Sequence, residues 1–79
     1  MATLRLFASA REAAGTGRDE FEEPTVAAVI AAAGVKYGPA FVAVLPTCKI
    51  WLNGEVAGPD APVTSRDEVA VLPPVSGGT

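Results

Sequence analysis

Histidine is absent from this 79-residue chain, and cysteine occurs once, at Cys48. Without imidazole the commonest general base and the commonest metal ligand are gone, so Ser-His-Asp triads and Cys/His zinc sites are excluded and no metal is expected. A lone cysteine cannot close an intramolecular disulfide. Six Lys and Arg against nine Asp and Glu leave a net charge of −3. Those six cations are scattered along the sequence, whereas phosphate neutralisation needs them clustered, so no nucleic-acid partner is expected. A secretory leader and a long uninterrupted apolar run are both missing, which points away from membranes and towards the cytoplasm. Catalysis by the chain alone is not expected, although carboxylates are present.

The composition, 49% hydrophobic and 19% charged, suits a folding unit rather than a disordered one. The reading is a single domain over residues 1–79 with a flexible tail over 73–79. A chain this short buries about 60–65% of its unfolded surface and has little room for an enclosed active site.

Thr3 to Ala8 alternates, with Leu4, Leu6 and Ala8 on one face and Thr3, Arg5 and Phe7 on the other, which predicts a first strand. Ser9 offers an N-cap to a single helical turn that Gly15 ends. Arg18 to Glu23 predicts a second strand closing a hairpin, an edge guarded by charge. Thr25 caps the main helix, in which Val26, Val29, Ile30 and Ala33 recur at helical spacing; Pro39 forces its end between Ala33 and Tyr37. Ala40 to Leu45 fits a short helix or a strand, with Pro46 as its end. Thr47 to Leu52 alternates again, Asn53-Gly54 asks for a tight turn, Glu55 to Ala57 pairs back, and Glu68 to Leu72 is the last strand.

This order predicts an α+β fold, a mixed sheet of about five strands packed on one main helix. A helix covering Leu4, Leu6, Ile50, Val69 and Val71 leaves Phe7, Trp51 and Leu72 on the opposite face as an apolar contact patch. By the same alternation Cys48 faces the core, where a free thiol behaves as a small hydrophobe. Trp51 reads as a lid on the sheet, and Lys36 and Lys49 as solvated charges.

The C-terminal residues have a pattern of their own. Pro73 and Pro74 lack N–H donors and stop the last strand, and Gly77 and Gly78 have no Cβ to obstruct a narrow channel. Extended, the stretch from Pro73 to Gly78 reaches roughly 20 Å, enough to enter a partner's active site.

Leu6-Phe7-Ala8, Ala10-Arg11-Glu12 with Gly15, Thr25-Val26, Leu52-Asn53-Gly54, Asp67-Glu68-Val69-Ala70 and Pro73-Pro74-Val75-Ser76-Gly77-Gly78 together resemble the small sulfur carriers of molybdopterin synthase. These belong to the ubiquitin-like β-grasp superfamily, with the thiamin sulfur carriers as relatives. The resemblance runs nearly end to end. It implies a non-catalytic subunit whose terminal glycine carboxylate, here Gly78, is adenylated by an E1-like partner using ATP and converted to a thiocarboxylate by a sulfur donor. The large subunit of molybdopterin synthase then takes the sulfur for the molybdenum cofactor, and the carrier binds no cofactor of its own. It further implies partner contacts at Phe7, Arg11, Val56 and Leu72 and along the tail Pro73, Pro74, Val75, Ser76 and Gly77.

Thr79 departs from that pattern, because a Gly78 held in a peptide bond has no carboxylate to activate. A peptidase that removes Thr79 is therefore expected, the alternative being that Thr79 is itself the active terminus. The alternatives are a sulfur carrier for cysteine, thiamin or tRNA thiolation, and a ubiquitin-like modifier joined to target lysines. A sulfur relay through Cys48 is a further, weaker alternative.

Overall fold

In a computed structural model, which describes residues 1–74, alternation in sequence becomes alternation in burial. Strand β1 (Ala2–Leu6) buries Ala2, Leu4 and Leu6 and leaves Thr3 and Arg5 half-exposed; β5 (Glu68–Leu72) buries Val69 and Val71 between Glu68, Ala70 and Leu72. The other elements are helix α1 (Ala8–Ala14), strand β2 (Arg18–Phe21), helices α2 (Val26–Tyr37) and α3 (Pro39–Val44), a 3₁₀ turn (Leu45–Thr47), and strands β3 (Lys49–Leu52) and β4 (Glu55–Val56).

Among the described residues the strands form one mixed sheet in the order β2-β1-β5-β3-β4. The last strand is thus the central one. It runs parallel to β1, with Leu6 opposite Val71, and antiparallel to β3, with Leu72 opposite Lys49. β2 pairs antiparallel with β1 and lies at an edge, as its charges suggested.

Helix α2 starts where Thr25 Oγ1 accepts the Ala28 N–H at 3.2 Å and ends at Gly38, whose φ of 98° suits glycine. Its Val26, Val29 and Ala33 are buried against Leu4, Leu6, Val69 and Val71. The ambiguous apolar run proves helical, with Pro39 in its first turn where a missing N–H costs nothing. Phe41 is fully buried there and meets the Tyr37 ring edge-on at 5.1 Å. At the sheet edge Asp19 accepts from Tyr37 Oη at 2.6 Å and pairs with Lys36 Nζ at 2.7 Å, fastening β2 to the last turn of α2. Those two contacts, the Lys36 one foremost, hold its carboxyl below the usual range. Lys36 is therefore no free surface charge.

Several boundaries differ from the sequence expectation. β1 stops at Leu6, and Ala8 is exposed with φ of 51°, so it does not continue the core face. That left-handed backbone turns the chain straight into α1. The cap of α1 is Phe7, whose carbonyl accepts from Ala10 and Arg11, rather than Ser9, and the helix spans seven residues instead of one turn. Gly15, at φ of 80°, ends it as expected. β2 ends at Phe21 and β4 at Val56. Pro46 does not terminate α3 but sits inside the 3₁₀ turn, which delays β3 until Lys49 and leaves Cys48 just outside the strand.

Candidate docking face and tail root

The outer sheet face, away from α2, is built by the residues that alternate with the core. Cross-strand register sets Arg5 beside Ala70, Ala70 beside Trp51, and Trp51 beside Val56, while Leu72 stands beside Lys49. Phe7 follows one residue after β1 and remains on this side, with the Arg5 guanidinium 5.7 Å from its ring centroid. It is 39% exposed and Val56 70%, whereas Trp51 and Leu72 are half-buried. Phe7, Trp51 and Leu72 thus share the outer face on which alternation put them, and Val56 lies on it through its pairing with Trp51.

Arg11 projects from α1 into a depression shared with Phe7, Arg5 and Arg18. Its side chain lies across Gly17, where an added Cβ would come within 3.2 Å of Nε. Cations scattered along the sequence are thus gathered in space at one end of this face.

With Thr47, Lys49, Leu72, Pro73 and Pro74, Trp51 lines a shallow, mainly apolar depression of about 290 Å³, so the indole and the root of the C-terminal segment border the same hollow. Its Nε1 is shielded and has no hydrogen-bond partner among the described residues. Neither feature was legible from alternation, which gave the face of Trp51 but not its neighbour beyond Leu72. Val75, Ser76, Gly77, Gly78 and Thr79 lie outside the described residues.

The end of β5 opposite the tail is held by a side-chain clamp. Asn53 Oδ1 accepts the Glu68 N–H at 2.8 Å, Asn53 Nδ2 donates to Asp67 Oδ1 at 2.9 Å, and Asp67 Oδ2 accepts the Thr64 N–H at 2.7 Å. The Asn53 amide, ahead of the Thr64 N–H, keeps the Asp67 carboxyl below its ordinary range. Asn53 at φ of 52° and Gly54 at 84° make the tight turn between β3 and β4. The Leu52-Asn53-Gly54 and Asp67-Glu68 motifs thus fix the central strand, while its other end carries the prolines.

Cys48 packs partly against the core and donates from Sγ to the Val44 carbonyl at 3.3 Å. Burial raises its thiol above the ordinary value, which disfavours the thiolate that a sulfur relay would need. Among the described residues no helix is long and apolar enough to cross a membrane.

Comparison with known proteins supplies a context for this geometry. The model of the ThiS family matches residues 4–78. The molybdopterin synthase sulfur carrier subunit of Chlamydomonas reinhardtii is 38% identical over 81 residues, covering 91% of this chain and 92% of that protein. Small archaeal modifier protein 1 from Methanosarcina acetivorans superposes with a TM-score of 0.87 at 30% identity, over 98% of this chain and 95% of that one. In a complex of subunits 1 and 2 of the molybdopterin-converting factor from Helicobacter pylori, the matching chain gives a TM-score of 0.73 at 20% identity, over 98% of this chain and 97% of that one, a likeness of fold. The sheet and its helices are those of a ubiquitin-like β-grasp, as the sequence implied.

Proposed function

The chain belongs to the ThiS family, and from that premise we propose that it is a sulfur carrier subunit for molybdopterin synthesis, a carrier and not an enzyme. The observation that carries this reading is that the tail prolines continue from the central strand of the sheet. Hydrogen-bonded ladders on both sides and the Asn53 clamp fix where β5 points, and the outer face beside it offers Phe7, Leu72 and Val56 for docking. A partner that grips this face meets Pro73 and Pro74 at the end of a strand whose course is fixed.

The chemistry assigned to Gly78 explains the residue types around it. A carboxylate resists attack until its oxygen becomes a leaving group. In this reading, an adenylating partner joins the Gly78 carboxylate to the α-phosphate of ATP, releasing pyrophosphate. A sulfur nucleophile then attacks the carbonyl carbon and displaces AMP. A glycine leaves that carbon unobstructed. Because Thr79 follows Gly78, the peptide bond between them must be hydrolysed first, and a peptidase belongs among the partners beside the adenylating enzyme, the sulfur donor and the large catalytic subunit.

The test is to incubate forms ending at Gly78 and at Thr79 with the adenylating enzyme, ATP and a sulfur donor, and to weigh the intact products. The Gly78 form should exchange one terminal oxygen for sulfur, and the Thr79 form only after losing threonine. Failure of the Gly78 form to gain sulfur would overturn the carrier reading. Likeness to small archaeal modifier protein 1 supports a second reading, a modifier joined to lysines, which the same reactions distinguish by isopeptide-linked products.

A further inference from the structure

Helix α2 is apolar on every side. From Val26 to Tyr37 its one charged residue is Lys36, which pairs with Asp19, and α3 beside it has none. A helix of that composition is ordinarily buried all round. Here the fold buries only the side bearing Val26, Val29 and Ala33, while Ala27, Ala31 and Val35 are exposed. With Val42 of α3, Ile50 of β3 and Pro59 they border an open groove of about 600 Å³ whose lining holds no charged residue. Gly34 lets α3 approach α2 closely there, since an added Cβ would come within 3.2 Å of Val42 Cγ2. Val35 stands 88% exposed at this groove and Val42 48%, so one surface offers both a hollow and the side chains to fill one.

We propose that a second copy of this chain covers the groove, in a symmetric dimer that packs α2 against α2 and seats each Val35 in the other copy's hollow. Nine Asp and Glu against six Lys and Arg make two copies repel where charged surfaces meet, and the uncharged groove spares them that contact. The chain's own C-terminal segment is a poor occupant, because Val75 is the one large apolar residue after Pro74. The lining is smaller than the about 20–30 residues that a standard interface uses on each side, which places the dimer among weak, concentration-dependent associations. It shares no residue with the hollow at Trp51, Pro73 and Pro74, and Phe7, Val56 and Leu72 lie outside it. Both copies therefore keep the outer sheet face and the tail root open.

The test is sedimentation equilibrium of the full chain from about 10 µM to about 1 mM, a range suited to a small interface. The mean mass should climb towards twice the monomer's, and more readily at high salt, which screens the repulsion between acidic chains. Val35→Glu puts a charge into the groove from an exposed position. It should weaken association at least about tenfold at high salt, with a melting temperature in dilute solution within about 4 °C of the parent. Val56→Glu, the same change on the outer sheet face, should associate as the parent does. In NMR spectra of the labelled chain the amides of Ala27, Ala31, Val35 and Val42 should move with concentration, and those of Arg5 and Phe7 should stay. A chain that remains monomeric at the highest concentration, equal association by Val35→Glu, or loss of the dimer in Val56→Glu would each overturn the proposal. Gly78 chemistry plays no part in this experiment, so its failure is separate from failure of the carrier reading.

Discussion

Strands β1 and β5 lie side by side near the middle of the sheet, and their alternate residues meet two unlike environments. On the inner face Leu4, Leu6, Val69 and Val71 are each no more than 2% exposed beneath α2. On the outer face Arg5, Ala70 and Leu72 stay half-exposed, and Phe7 more so. The same backbone therefore separates two demands residue by residue. One face supplies burial, and the other is left available for contact because the fold does not depend on covering it.

The largest effect should come from breaking the inner face. Leu6→Ala should cost about 2–5 kcal/mol, from lost burial and the cavity left behind. In thermal unfolding that lowers the melting temperature by about 10 °C or more, while the folded fraction still binds partners normally. Next comes the clamp that fixes the central strand from its far end. Asn53→Ala removes bonds to Glu68 and Asp67 and should lower the melting temperature by about 4–8 °C without touching the outer face.

A smaller, pH-dependent effect concerns the edge strand and the clamp. Asp19 and Asp67 both have folded-state carboxyls below the ordinary range, so the unfolded chain takes up protons first as pH falls. Their contribution is complete above the unfolded value near about 4 and is lost as pH drops through the folded values. Urea unfolding midpoints should fall progressively as pH drops below about 5. Asp19→Asn should flatten that decline and lower the midpoint at neutral pH, where its ion pair with Lys36 is gone. A decline as steep in the variant as in the parent would remove Asp19 from the account.

Much of this division is legible in sequence because alternation maps directly onto the two faces. Glu68 to Leu72 and the Asn53-Gly54 turn appear where the pattern puts them, and Thr25 caps α2 as its position suggests. Alternation fails at Ala8, since a positive φ at a non-glycine residue leaves no mark in composition and the apolar series simply runs on past the turn. It is silent on Phe41, whose all-apolar neighbourhood fits strand or helix equally and becomes core only once α3 packs. The gathering of Arg5, Arg11 and Arg18 is invisible for a different reason. It depends on β2 pairing back onto β1 with Arg18 opposite Arg5, a register that hydrophobic pattern alone does not set along so charged an edge.

Separation of the two faces is tested most directly by titrating the folded Phe7→Ala variant against the large catalytic subunit proposed as its partner. The account predicts an affinity at least about tenfold weaker, with a melting temperature within about 4 °C of the parent. An unchanged affinity in a variant that remains folded would contradict it.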